Sequence, residues 1–206
     1  MKQLKAVISD ALALVKDNYI IFNDGKAVKV NVNKDVQVRV DDYFDSNDYY
    51  KHQVSDLEKE IDNNVNFISS IDINEDVDLT VIHINDEAEY LNYNFMIREN
   101  VKANIIHIFY KVVNPVKVKV DILCEDYSQV QVKNVMNCED QVMALVNAYC
   151  LNESYIKLDT LALNQKQAQV YTNIFLIDNK TNADLTNVII NSTSEDQVYH
   201  YKITHV

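Results

Sequence analysis

The chain has 206 residues, of which 48% are apolar, and a formal net charge of −12 at pH 7. This length suits one domain, and this apolar fraction is enough to form a packed core, so the composition excludes global disorder. The acidic balance disfavours binding to nucleic acid or to an anionic membrane surface, and the single glycine, Gly25, excludes the phosphate loops and dinucleotide turns that need several glycines.

The first predicted element is an amphipathic helix over residues 1–16. Lys5 and Asp10 interrupt the apolar stretch that a secretory signal requires, and no small-residue cleavage site follows. No segment of about 18 apolar residues is present that could cross a bilayer. We therefore expect a cytoplasmic protein. The apolar residues that share one face of this helix are Leu4, Val7, Ile8, Ala11, Leu12 and Val15.

A β-hairpin is predicted over residues 18–40. Asn23–Gly25 has the composition of a type I′ turn and follows the apolar run Tyr19–Phe22. Valines then alternate with polar residues, and the alternation over Val36–Val40 indicates a third strand.

Residues 41–64 are acidic and weakly patterned, which indicates a linker with one or two turns of helix. Ser55 and Glu58 have the spacing of a helix capping box. We therefore divide the chain into an N-terminal part, residues 1–66, with helix, hairpin and acidic linker, and a core over residues 67–206.

In the core, short apolar or alternating runs recur about every 13 residues, each introduced by a polar turn. This spacing leaves no room for intervening helices, so it excludes βαβ units. Two strands per coil give a coil of about 26 residues, typical of a parallel β-helix whose coils stack to bury a core. The strands are predicted to start near Val77, Ala88, Lys102, Val116, Ser128, Gln141, Ser154, Ala168, Ala183 and Gln197.

An antiparallel β-sandwich is the alternative all-β fold, because its strands recur at a similar spacing. Three observations favour the β-helix. The turns lack hairpin dipeptides and the only proline is Pro115, runs such as Ile105–Phe109 are apolar on both faces in places, and the period persists without a long crossover. With so few glycines, the corners must be made largely by Asn and Asp, which tolerate left-handed backbone angles.

Residues 96–110 run from charged residues through a turn and a small residue into an apolar strand, and later copies begin at Glu125 and Asn152. With the stretches at 187–191 and 199–205, they make residues 84–206 resemble the core domain of the SufB/SufD family, the scaffold proteins of bacterial iron–sulfur cluster assembly. The resemblance implies a right-handed parallel β-helix that pairs edge to edge with a SufB-like scaffold and is served by a SufC-like ATPase. It is closer to SufD than to SufB. The family's further coils, C-terminal helical region and late interface histidines or cysteines have no counterpart here, which is the pattern of a truncated or reduced relative, so no family residue role is transferred.

Cys124 and Cys150 are two strand periods apart, so we expect them in neighbouring coils of one sheet, with Cys138 on the facing sheet. Adjacent thiolates can hold iron or a cluster, whereas buried cysteines more commonly act as small apolar residues. The odd number of cysteines and the absence of CxxC spacing argue against a disulfide framework.

His83 and His107 both lie in apolar runs, and their spacing can also stack them in neighbouring coils. A metal-binding pair is one interpretation. Histidines that are hydrogen-bonded in the core or exposed on a strand face are the other, and the more usual one.

The inter-strand turns are too short to build a catalytic cleft, and no paired carboxylates stand out, so we expect a protein that is not an enzyme. The resemblance implies a SufD-like scaffold without a cofactor of its own, which meets an iron–sulfur cluster only transiently in a complex. A structural or adhesin-like β-solenoid is the alternative function. We expect a homodimer formed by strand addition at the last strand, with Tyr199, Tyr201 and His205 at the interface.

Overall fold

The computed structural model describes residues 8–13, 15, 17–41, 43–112, 114–163, 166–190 and 196–206. Two short helices, α1 (residues 8–12) and α2 (Asp56–Asn64), and a 3₁₀ turn at Ser46–Asp48 accompany fourteen strands. The strands are β1 Tyr19–Asn23, β2 Lys26–Asn31, β3 Val36–Val40, β4 Ser69–Ile73, β5 Val77–Asn85, β6 Tyr90–Ile97, β7 Lys102–Val112, β8 Val116–Cys124, β9 Gln129–Cys138, β10 Val142–Cys150, β11 Tyr155–Ala162, β12 Ala168–Leu176, β13 Asn182–Ile189 and β14 Gln197–His205.

The strands form two seven-stranded sheets that enclose one apolar core. Sheet A has the order β13-β11-β9-β7-β5-β1-β2, and sheet B has the order β14-β12-β10-β8-β6-β4-β3. From β4 onward the chain alternates between the sheets, and successive strands of each sheet are parallel. Asp78 lies beside Asn104, 26 residues later. The predicted parallel β-helix with two strands per coil is therefore confirmed, and the antiparallel sandwich is not formed.

The predicted strand starts from Val77 onward all lie within two residues of the observed ones. The sequence pattern missed β4, which is short and carries Asp72 on its outer side. The sheets also begin before residue 67, because β1 pairs in parallel with β5, and β3 pairs with β4.

The N-terminal strands β2 and β3 differ from the rest because they are antiparallel to their neighbours. Asp24 and Gly25 have φ values of 48° and 80°, as the predicted type I′ turn between β1 and β2 requires. The third predicted strand, β3, exists but joins sheet B instead of extending the hairpin.

Helix α1 packs on the outer face of sheet A, where Ala11 is fully buried against Ile82 and Ile84. Ile8, Leu12 and Val15 are partly buried in the same cluster, so the predicted apolar face is confirmed over the described residues; the predicted residues Leu4 and Val7 lie outside them. Within the described part of the chain, no helix has the length and apolar character needed to cross a bilayer.

One corner of the coils repeats a left-handed residue in four successive coils: Asn100, Tyr127, Glu153 and Lys180, with φ between 53° and 63°. The corners stack, since the Tyr127 amide donates to the Asn152 carbonyl (3.0 Å) and the Glu153 amide donates to the Asn179 carbonyl (3.2 Å). Only the first of the four is the Asn or Asp that the composition led us to expect. Left-handed geometry costs about 1–2 kcal/mol at the other three.

Replacing Glu153 by glycine is therefore expected to raise the free energy of unfolding by about 0.5–1 kcal/mol, because relief of the left-handed strain exceeds the extra entropy of the unfolded chain. The exposed ion pair of Glu153 with Lys180 contributes little. The control is Asp126→Gly, which lies in an equivalent turn but without a positive φ and should lower stability. Urea denaturation of both variants checks this, and equal losses would contradict the strain argument.

Candidate functional site

The three cysteines lie where the sequence placed them, inside the solenoid. Cys124 and Cys150 are register neighbours in sheet B, and Cys138 lies in sheet A opposite. The hydrogen bond that the Cys124 thiol donates to Cys150 raises the pKa of Cys124, and burial adds to this effect. Burial also raises the pKa of Cys138 to about 12. The thiols of Cys124 and Cys138 are therefore protonated at neutral pH, and all three cysteines pack in the apolar core. The described residues contain no group of three or more His, Cys, Asp or Glu side chains arranged to hold a metal ion.

His83 and His107 meet in the core, with their Nε2 atoms 2.5 Å apart. His107 Nδ1 donates to Asn134 Oδ1 (3.1 Å), so His107 Nε2 accepts the hydrogen bond from His83. In this arrangement the two rings form a hydrogen-bonded pair, since two metal–imidazole bonds of about 2.0 Å each would need a wider gap between the Nε2 atoms.

Aromatic rings surround this histidine pair. Phe22 stacks on His83 with centroids 5.3 Å apart and an interplanar angle of 6°, and Phe109 stacks on it at 5.0 Å. Burial lowers the pKa of His83 well below its usual range, with the neighbouring His107 adding to the effect, and burial lowers the pKa of His107 to about 4. Both rings are therefore neutral at pH 7.

The residues predicted for the interface share one side of β14. Tyr199, Tyr201 and His205 lie in register with Val170, Thr172 and Leu176 of β12, which places them on the core-facing side. Burial raises the pKa of Tyr201 to about 12.

The last coil leaves its core-facing residues uncovered. Ile189 and Ile203 are 42% and 46% exposed, whereas their register partners in the preceding coil, Ala162 and Ile174, are fully buried. Within the described residues, β13 and β14 each have a strand on one side only. We call this surface the open edge. It also carries the exposed apolar side chains of Val188, Ile190, Val198 and Val206.

The edge at the opposite end of the solenoid is shorter and more basic. Strands β2 and β3 have six and five residues, against eight and nine in β13 and β14. Lys26 and Lys29 lie on β2, and Arg39 lies on β3. Short edge strands with charged side chains resist further strand pairing, so the open edge is better suited to pair with a strand of another chain.

A buried charged cluster, which the sequence pattern did not predict, lies between α2 and the outer face of sheet B. Lys119 Nζ lies 3.0 Å from both carboxylate oxygens of Asp62, 3.3 Å from Glu58 Oε1 and 3.4 Å from Asp121 Oδ2. Glu58, Lys119 and Asp121 are all less than a tenth exposed. We call these four residues the α2 cluster.

Local sequence explains how α2 presents this cluster. Ser55 is the N-cap and its Oγ accepts from the Glu58 amide (3.1 Å), which confirms one half of the predicted capping box. The Glu58 carboxylate instead contacts His52 Nε2 at 3.1 Å and Lys119. On the sheet, Asn147 donates to Asp121 (3.0 Å) and fixes its orientation.

Burial and charge act in opposite directions on these groups. Burial raises the pKa of Asp121 to about 6, with Glu58 and Asp62 adding to the effect and Lys119 opposing it. Burial lowers the pKa of Lys119, but the three carboxylates outweigh burial and hold that pKa above its usual value. The signal in the sequence was the row of charged residues Lys117, Lys119 and Asp121 at alternate positions of β8.

No family model matches this chain, and a search of curated proteins found no matching relative. The open edge and the α2 cluster are therefore the two structural features that bear on its function.

Proposed function

We propose that the protein is a SufD-like scaffold of iron–sulfur cluster assembly, which acts in the cytoplasm through protein–protein contact and without substrate turnover. Support for this proposal comes from the parallel β-solenoid, the fold that the resemblance of residues 84–206 implies. The open edge is the observation that carries the contact role.

Strand addition is the proposed mechanism of contact. The outward amides and carbonyls of β13 and β14 are paired by strands of a partner, and main-chain hydrogen bonds supply much of the affinity. Covering Ile189 and Ile203 adds about 1 kcal/mol each from apolar burial. Tyr199, Tyr201 and His205 complete the interface on the core-facing side.

A second copy of the chain is the proposed first occupant of the open edge. A two-fold axis brings the same patch together from both protomers, so the strands meet in antiparallel orientation. A SufB-like scaffold offers the same strand chemistry, and a SufC-like ATPase is the further proposed partner. The burial of all three thiols supports a role in which the chain meets a cluster only within such a complex.

The contact role is tested by size-exclusion chromatography with light scattering. We expect the wild-type chain to be a dimer and Ile203→Lys to be a monomer, because a lysine cannot be buried unpaired between two edges. Val30→Lys is the matched control, since Val30 is equally exposed on the opposite edge. A wild-type monomer, or a dimer broken equally by Val30→Lys, would contradict the proposal.

The link to cluster assembly is tested separately by co-purification with a SufB-like scaffold and a SufC-like ATPase. We expect both to be retained by the wild-type chain, and the scaffold to be lost with Ile203→Lys. A dimer that retains neither partner would favour the structural β-solenoid over the assembly scaffold.

A further inference from the structure

A cavity of about 250 Å³ lies beside the α2 cluster. Its walls come from α2, from the segment at residues 43–54 and from the outer face of sheet B. That segment is held in place by aromatic packing, with Phe44 edge-to-face on Tyr149 at 5.7 Å. The cavity is therefore bounded by packed elements. Its lining includes Tyr43, Phe44, Glu58, Asp62, Asn94 and Asp121.

The charges around this cavity do not balance. Three carboxylates, from Glu58, Asp62 and Asp121, converge on the single ammonium of Lys119. Among the described residues, His52 is the one other basic group in contact with them, and it binds the other carboxylate oxygen of Glu58. The cavity wall formed by Asp62 and Asp121 therefore keeps an excess of negative charge.

A second, independent observation is an unsatisfied acceptor. Asn94 is 1% exposed and lines the cavity, and its Oδ1 has no hydrogen-bond partner among the described residues. Its amide nitrogen is already used, because it donates to Asn92 Oδ1 (3.3 Å), and Asn92 in turn donates to Asp62 (3.1 Å). A buried acceptor without a donor costs about 1–3 kcal/mol. Asn94 Oδ1 therefore lacks a hydrogen-bond donor.

Aromatic rings complete the lining. Tyr43 is 54% exposed, and Phe44 lies next to it along the wall. Aromatic faces attract cations, and a planar guanidinium also stacks on them.

We infer that this cavity binds a small molecule that carries a guanidinium group. A guanidinium supplies a positive charge and several donors in one plane, so it can serve Asp121 and Asn94 Oδ1 together while stacking on Tyr43. A primary ammonium has the positive charge but not the planar arrangement of donors, and the side chain of Lys119 already places one ammonium here. The inference does not depend on the proposed scaffold function.

The test is a titration of the ¹⁵N-labelled full chain with methylguanidinium, followed by amide chemical shifts at constant ionic strength. Two comparison probes separate shape from charge. N-methylurea has a similar planar shape but no charge, and methylammonium is charged but not planar. We expect saturable shifts in α2, β6 and β8 with methylguanidinium, and at least about tenfold weaker binding of the other two.

Two variants localise the binding. Asn94→Leu is expected to weaken binding about tenfold, and Tyr43→Ala, at an exposed position that does not threaten folding, at least about threefold. Tyr127→Ala is the matched control, because Tyr127 is a similarly exposed tyrosine away from the cavity. Absence of saturation with millimolar methylguanidinium, equal binding of either comparison probe, or unchanged binding by Tyr43→Ala would overturn the inference.

Discussion

Replacing Lys119 by methionine is expected to lower the free energy of unfolding by about 3–5 kcal/mol. The ammonium is the shared counter-charge of Glu58, Asp62 and Asp121, and two of these carboxylates are almost fully buried. Methionine fills similar space but leaves the carboxylates uncompensated in a poorly hydrated site. Urea denaturation at pH 7 measures the loss.

Lys117→Met is the matched control for this prediction. Lys117 lies two residues earlier on the same face of β8 and also binds α2, through Glu60, but that pair is partly exposed to solvent. Surface ion pairs contribute about 0–1 kcal/mol, so we expect a loss of less than about 1 kcal/mol. Similar losses for the two variants would show that the α2 cluster is not electrostatically isolated from water.

Acidification from pH 6.5 to pH 4 is expected to destabilise the protein by about 3 kcal/mol through His107 alone. The folded-state pKa of His107 is about 4, below the usual value of 6.5, because the ring is fully buried. Between pH 6.5 and pH 4, His107 is protonated in the unfolded chain but remains neutral in the folded chain. The free energy of unfolding therefore decreases as the pH falls, until the folded ring is also protonated. His83 acts in the same direction.

Other groups titrate in this range with the opposite sign. The pKa of His52 is raised, chiefly by its hydrogen bond to Glu58, so its contribution is present at low pH and lost as the pH rises. Asp121, with a raised pKa of about 6, also takes up its proton first in the folded state. These two groups reduce the loss of stability on acidification. Glu58 acts in the same direction as the histidine pair, because burial would raise its pKa but His52 and Lys119 hold that pKa below its usual value.

A double variant, His83→Phe with His107→Leu, isolates the histidine pair. Phenylalanine continues the stack between Phe22 and Phe109, and removing both polar rings leaves no broken hydrogen bond between them. We expect the loss of stability between pH 6.5 and pH 4 to be smaller by at least about 3 kcal/mol in this variant. Thermal unfolding at the two pH values measures this loss. An unchanged loss would mean that other groups cause the acid sensitivity.

Much of the fold could be predicted from the sequence because a solenoid repeats the same local structure in every coil. Each coil needs a strand, a corner and a second strand, so starts such as Lys102 and Gln197 follow from the period alone. The strand that was not predicted, β4, does not follow this period. Strand β4 has few residues and carries Asp72, whose carboxylate is compensated by Arg98 from the neighbouring strand end (2.7 Å).

The same regularity explains which parts of the candidate sites could be predicted. Cys124 and Cys150 are neighbours because their separation equals one coil of 26 residues. His83 and His107 are only 24 residues apart, so they meet diagonally, with His107 in register with Val81 and His83 with Phe109. The α2 cluster could not be found this way, because the periodic pattern says nothing about where an acidic linker docks. Glu58 meets Lys119 only through the docking of α2 on sheet B. The corner residues Tyr127 and Glu153 also escaped prediction, since neither is a usual left-handed residue.

Amide hydrogen exchange along β13 and β14 is the most direct test of association through the open edge. We expect protection of these amides to increase with protein concentration in the wild-type chain and to be lost in Ile203→Lys, while the outer amides of β2 exchange rapidly at every concentration. Exchange at β13 and β14 that is independent of concentration, or protection that appears at β2 instead, would contradict the account.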